Sequence, residues 1–258
     1  MSTGKVKIFC RSFDLKLYKL SKKLYEGLGW ECVRLTDQSA DGYFYTMLRD
    51  QECEIAVNVD EDAFITDLEV VRDLVELVRS EGYANAGFPD GSPSTIWRDC
   101  IVTNPFFNVL NLKVIREKFS RKDIRRMIPS DHEPYYPFFY FLSDNFKTLY
   151  LPCYRHSDSM TTVGMDPSGR PFCLHTWYSR FYSMPDFLAQ RIDPNGVSQK
   201  KRIDAIIHEA YGTRGMEFPR FSPFNNILFI LNKILRWMIK IPQRVSRWPL
   251  KLKLRRVK

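Results

Sequence analysis

The chain has 258 residues, 44% hydrophobic and 14% aromatic, enough apolar material for a full core and too much for a disordered protein. Its formal net charge of +9 is unevenly placed, because no Asp or Glu follows Glu217 while eleven Lys and Arg lie in residues 218–258. The remainder holds 28 basic and 30 acidic side chains, so the basicity belongs to the tail. A nucleic-acid-binding face would be built into the fold, and no nucleic-acid partner is expected.

Lys5 to Cys10 reads as a first strand, and Phe13 to Gly27 as a helix with Leu17, Leu20 and Leu24 at helical spacing. Trp30 to Leu35 returns to strand character. Gly42 to Asp50 reads as a short helix, and Glu54 to Val59 as a compact apolar strand that stops at Asp60-Glu61-Asp62. Thr66 and Glu69 have the spacing of a capping box for a helix burying Val71, Leu74, Val75 and Val78 and ending at Gly82. Strand alternating with helix from residue 5 to 82 predicts a mainly parallel α/β sheet flanked by helices. Further on, Asn104 to Phe119 reads as a helix, Tyr135 to Tyr150 is dense in aromatics, Pro171 to Tyr178 is strand-like, and Ser198 to Tyr211 is helical. The six cysteines, at 10, 32, 53, 100, 153 and 173, have no metal-ligand spacing and read as reduced thiols of a cytosolic protein. Neither a signal-peptide core nor a run of roughly 18 apolar residues is present in the sequence.

Asp60, Glu61 and Asp62 follow a buried strand, where open parallel sheets bind ligands. Three adjacent carboxylates repel one another, and a divalent cation would offset that. Oxygen donors suit Mn²⁺ or Mg²⁺, ions that also take substrate phosphates. In an extended segment Asp60 and Asp62 share one side and Glu61 turns away. A solvated acidic turn is the competing reading.

Ile55-Ala56-Val57-Asn58-Val59-Asp60-Glu61-Asp62-Ala63-Phe64 resembles the D-x-D region of GT-A glycosyltransferases. The resemblance covers about ten residues in motif and roughly residues 5–180 in layout. It implies a GT-A-like, Rossmann-like domain over residues 1–217, with a metal held by Asp60 and Asp62 on the diphosphate of a nucleotide-sugar donor, a UDP-sugar by default. A late histidine completes the metal shell in several such enzymes, which points to His175, with His156 second. By layout, Phe9, Arg11, Ser12, Asp37 and Arg49 would surround the donor together with Asp60, Glu61 and Asp62. Gly87 to Asn111 would supply the sugar and acceptor side. Asp131, Glu133 and Asp99 are the candidates for the catalytic base of an inverting enzyme. The Pro-x-Tyr-Asn opening of the best-known members is missing, which leaves the base of the nucleotide open.

Phe224 to Lys240 reads as an amphipathic helix with Ile227, Ile230, Leu231, Ile234, Leu235 and Met238 on its apolar face. Seven Lys and Arg follow Pro242. Residues 218–258 are thus expected to lie on an anionic membrane surface at the cytoplasmic side, near a lipid-linked or surface-glycan acceptor. Packing on the domain and RNA binding by the basic end compete with this. Two other functions stand beside sugar transfer. One is a metal-dependent nucleotidyl- or phosphotransferase, for which no Gly-rich phosphate loop is visible; the other is a non-catalytic membrane-associated protein.

Overall fold

The computed structural model describes residues 4–36, 42–90, 101–120, 133–236 and 238. In chain order its first half contains β1 (Lys5–Arg11), α1 (Leu15–Tyr25), β2 (Glu31–Leu35), α2 (Gly42–Arg49), β3 (Cys53–Val59), β4 (Ala63–Ile65) and α3 (Leu68–Ser80). Then come β5 (Asn85–Pro89), β6 (Thr103–Asn111), α4 (Leu112–Lys118), α5 (Tyr136–Asn145), β7 (Thr148–Tyr150), β8 (Cys153–Arg155), β9 (Thr162–Met165) and β10 (Pro171–His175). The helices α6 (Asp186–Ile192) and α7 (Gly196–Thr213) follow, and α8, the last helix among the described residues, spans residues 223–236.

Six strands form one sheet in the order β2-β1-β3-β6-β5-β7. β1 pairs in parallel with β2 and β3, β5 pairs in parallel with β7, and β6 runs against both its neighbours. Helices cover both faces, so the fold is the mixed, mainly parallel and Rossmann-like α/β arrangement expected. A second, antiparallel sheet has the order β4-β10-β9-β8. β3 belongs to the large sheet and β4 to the small one, and only Asp60-Glu61-Asp62 lies between them. The three carboxylates are therefore the crossing from one sheet to the other.

The helix expected over residues 104–119 is instead a strand followed by a helix. Every residue of β6 is buried, between two partner strands and under helices on both faces, so no 3.6-residue period marks it. α4 begins only where the Asn111 side chain accepts the Val114 N–H at 3.2 Å. The start of α3 also differs from the expectation. Its cap is Asp67, whose Oδ1 accepts from the N–H of Glu69 and Val70 at 3.0 and 3.3 Å. Thr66 sits one residue too early and gives its N–H to the Phe172 carbonyl. The helix buries Leu68, Val70, Val71, Leu74, Val75 and Val78, at about 1.5–3 kcal/mol per large side chain. The five cysteines among the described residues are free thiols.

The cap assignment gives a direct check by chemical denaturation. Asp67→Ala should cost about 1 kcal/mol of unfolding free energy, and Thr66→Ala under about 0.5 kcal/mol.

Candidate functional site

The carboxyl ends of β1 and β3 and the amino-terminal half of β6, around Phe106 and Phe107, converge on the crossing. The three carboxylates there diverge. Asp60 Oδ2 lies 3.6 Å from Arg11 Nη2, and Asp62 Oδ1 lies 3.4 Å from His175 Nε2. Glu61 Oε2 accepts the N–H groups of Phe13 and Asp14 at 2.8 and 2.6 Å. That bond ties the crossing to the β1–α1 turn, so Glu61 positions backbone and has little left for a ligand.

Burial dominates the electrostatics. It raises the Asp60 carboxyl to about 6, against the pull of Arg11 and with a further push from Asp62. Glu61 rises to about 7 through burial, opposed by Lys233. For Asp62 burial pushes upward as well, but the His175 imidazole draws the group below its ordinary value. Burial works against the charge of Arg11, yet the surrounding acids, Asp60 foremost, raise its pKa. Arg11 also lies 5.2 Å over the Tyr43 ring and 5.8 Å over Phe13.

His175 is held between rings, with the Phe106 centroid at 4.2 Å and nearly parallel and the Trp177 centroid at 4.3 Å. Past it the chain turns sharply, since Trp177 and Tyr178 both have φ near +57°. Two successive non-glycine residues in the left-handed region store strain of order 1–3 kcal/mol each. Arg202 clamps this turn. Its Nη2 donates to the carbonyls of Thr176 (2.5 Å) and Trp177 (3.1 Å), while its Nη1 donates to Asp158 at 3.1 Å. Trp177 Nε1 in turn donates to Thr162 Oγ1.

A polar layer continues from Asp60 across the sheet. Asn58 and Asn108 are register partners on β3 and β6, and both are fully buried. Asn108 Nδ2 donates to Thr103 Oγ1 at 3.1 Å and Asn85 Oδ1 at 3.4 Å, in space that exists because β5 has Gly87 there. A Cβ on Gly87 would come within 2.3 Å of that nitrogen. Asp90, at the end of β5, accepts from Asn104 Nδ2 (2.7 Å), Tyr136 OH (2.5 Å) and Tyr135 OH (3.2 Å). Yet among the described residues Asn58 Oδ1, Asn108 Oδ1, Asp60 Oδ1 and His175 Nδ1 are buried without a hydrogen-bond partner, and the Tyr43 hydroxyl faces Asn58 without a well-formed bond. Native interiors leave few such atoms, and a group of them at one sheet end marks a place for water, an ion or a ligand.

The structure thus brings Arg11, Asp60, Asp62 and His175 together. Ser12 is close but committed, its Oγ accepting from Arg34 Nε at 3.1 Å and its N–H bonded to the Leu35 carbonyl. Phe9 does not join them, because its ring is buried in the core against Phe44 and the helices of that face. Arg49 is exposed at the end of α2, which returns the chain to the amino end of β3. Seven strand residues, about 23 Å, separate that level from Asp60. Glu133 stands just before α5, its carbonyl accepting the N–H of Tyr136. Asp37, Asp99, Asp131 and His132 lie outside the described residues. His156 is paired with Glu209 at 3.2 Å and Asp158 at 3.6 Å, and His208 stacks on Phe218.

No protein-family model matches the chain, and no curated protein does either. Among solved structures it is similar to A197 from STIV, at 14% identity over 65% of this chain and 93% of that one, with a TM-score of 0.40. It is also similar to a glycosyltransferase involved in glycosylation of the major capsid of PBCV-1, at 8% identity over 57% of this chain and 80% of that one, with a TM-score of 0.38. Overlap of that extent is partial and leaves the chemistry to the residues of the site.

The clamp behind His175 has a pH signature. Burial opposes ionisation of Asp158, but hydrogen bonds from Thr161, Met160 and Arg202 hold its carboxyl well below the usual range. A depressed folded value stabilises above the unfolded value of about 3.9 and is lost as pH falls toward the folded one. Asp158→Asn should therefore cost about 2 kcal/mol at neutral pH, with the deficit shrinking below about pH 4 in urea titrations.

Proposed function

We propose that this chain is a nucleotide-sugar-dependent glycosyltransferase of GT-A type, acting at an anionic membrane surface on a lipid-linked or surface-glycan acceptor. The observation that supports it most is the placement of Asp60 and Asp62. Both stand at the carboxyl end of a central strand, where the chain leaves the large sheet, with the unpartnered Asp60 Oδ1 and His175 Nδ1 beside them. Two hard carboxylates and an imidazole fit Mn²⁺ or Mg²⁺. Among the described residues no group of three or more His, Cys, Asp or Glu forms a ready cage. Asp60, Asp62 and His175 as they stand are not such a group, so an ion here would depend on waters and on phosphate oxygens of its substrate for the rest of its shell. Such an ion, when bound, stabilises the departing diphosphate as a Lewis acid.

The chain's own residues supply the rest. Arg11 remains cationic beside Asp60 and offers positive charge to a diphosphate. Glu61 fixes the β1–α1 turn against the two aspartates, so that Arg11 and the carboxylates keep one geometry. Phe106 and Trp177 wall off His175 and lower the local dielectric, which strengthens each charge interaction. The Oδ1 atoms of Asn58 and Asn108, without a partner among the described residues, are acceptors for sugar hydroxyls, and Asn104 with Asp90 braces the segment beside them. Glu133, at the start of α5 beside the tyrosines that bond Asp90, is the candidate within the described residues for taking the acceptor's proton; Asp99 and Asp131 share that role in the proposal. No described helix is long and apolar enough to cross a bilayer. Attachment would be peripheral, through α8 and the basic residues after it.

Calorimetric titration of UDP and GDP, with and without Mn²⁺, tests the donor site. We expect Mn²⁺-dependent binding of one nucleotide by the native chain and none by Asp62→Ala. Failure of both nucleotides to bind, with or without the ion, would remove the donor reading for those bases.

A further inference from the structure

α8 is docked with its polar side inward. Lys233, only 7% exposed, places Nζ 3.1 Å from Asp14 Oδ2, and Arg236 Nη1 donates to the Thr36 carbonyl at 3.1 Å. Phe229 is buried on the same side, under Lys19 and against Phe221. The opposite side presents Phe224, Ile227, Leu228, Leu231, Leu235 and Met238, each between 42% and 68% exposed. Their spacing of three and four residues makes one continuous stripe. Contiguous apolar side chains of this kind mark a surface for a partner or a membrane.

Beneath the helix, on its inward side, lies a cavity of about 400 Å³. Asn226, Phe229 and Ile230 roof it, Tyr182 to Asp186 form one wall, and Lys16, Lys200 and Lys201 supply positive charge. Its two acids are already engaged, Asp204 by the Tyr182 hydroxyl at 2.5 Å and Asp186 by Lys200. Lys16 Nζ stands 5.1 Å over the Tyr182 ring, and neither Lys16 nor Lys201 makes an ion pair among the described residues. On α6, beside the lining residue Asp186, the Phe187 side chain is 70% exposed. A pocket with two lysines that form no ion pair among the described residues thus sits under the helix that carries the apolar stripe. Eleven basic and no acidic residues after Glu217 select for a negatively charged surface.

We infer that this cavity is a headgroup site for a lipid-borne phosphate monoester, whose acyl or prenyl chains run along the outward stripe of α8. The volume is in the range of small-ligand sites and suits a phosphate with a short polar attachment. Lys16 and Lys201 bind the phosphate oxygens, and the outward side chains of Phe224, Ile227, Leu228, Leu231, Leu235 and Met238 remain in the apolar layer. The site deepens the proposed membrane acceptor by giving its anchor a chemical class, and it rests on that part of the reading.

Binding to lipid vesicles tests the site without any donor nucleotide. Phosphatidylcholine vesicles carry phosphatidic acid or, at matched surface charge, phosphatidylglycerol. The native chain should bind the phosphatidic acid vesicles about tenfold more tightly. Lys16→Ser with Lys201→Ser should erase that preference and keep binding to phosphatidylglycerol, whereas Ile227→Asp with Leu231→Asp should abolish both. Equal binding at matched charge, or a preference that survives the lysine substitutions, would overturn the headgroup site. Competition by glycerol 3-phosphate in solution, as strong as by the lipid, would also overturn it, by assigning the cavity to a soluble phosphate. Absence of vesicle binding would overturn the lipid assignment while the nucleotide titration, done without lipid, still stands or falls alone.

Discussion

Glu61 takes a carboxylate into a turn where it is 7% exposed and there accepts two main-chain N–H groups. Burying such a group is costly unless hydrogen bonds and a counter-charge compensate, and both are present. The N–H donors belong to Phe13 and Asp14, and Lys233 supplies positive charge nearby. Asp14 is itself fully buried. It caps α1 through Lys16 and Leu17, accepts from the Ser183 hydroxyl and N–H, and pairs with Lys233. One network of bonds therefore joins the sheet crossing, the first turn, the segment around Ser183 and α8. Asp60 and Asp62 have fixed directions because the residue between them is anchored in this way.

The same arrangement explains how the two sheets share a site. β3 contributes Asp60 through the large sheet, and β10 contributes His175 through the small one. Thr176 N–H donates to the Asp62 carbonyl at 3.0 Å, so the antiparallel pairing of β4 with β10 continues up to the acidic crossing. Phe106, nearly parallel to His175, and Trp177, tilted against it, then close the gap between layers with apolar contact.

Much of this frame was legible in the chain. β1, β2, β3 and α3 follow from short apolar runs, helical spacing and abrupt polar ends, and the carboxylate triplet was visible at the end of β3. β6 was not, because a strand buried on both faces has no alternation to read, and Pro105 with neighbouring aromatics fits neither period. Phe9 and Arg49 were placed by layout alone; strand parity sends Phe9 inward, and the return of α2 carries Arg49 to the far end of the sheet. Asn108 lies in the Gly87 to Asn111 stretch expected on the sugar side, whereas the one sign of Asn58 in the sequence is a lone amide in an apolar strand, which is costly unless it has a use. The stripe on α8 could be read, but not the direction it faces. Lysine and arginine on the other side look like a solvent face until Asp14 and the Thr36 carbonyl are seen to receive them.

The docking of α8 also sets a timetable. Arg236 and the Thr36 carbonyl are 200 residues apart in sequence, and the partner of buried Asp14 lies almost as late in the chain. At roughly 5–20 residues per second, about 10–40 s of synthesis separates the two ends of the Arg236 contact. For that interval the first turn of the fold exists without the ammonium group that balances it, and it becomes complete only when α8 leaves the ribosome. Maturation of the N-terminal half is thus deferred to the arrival of the segment that bears the apolar stripe.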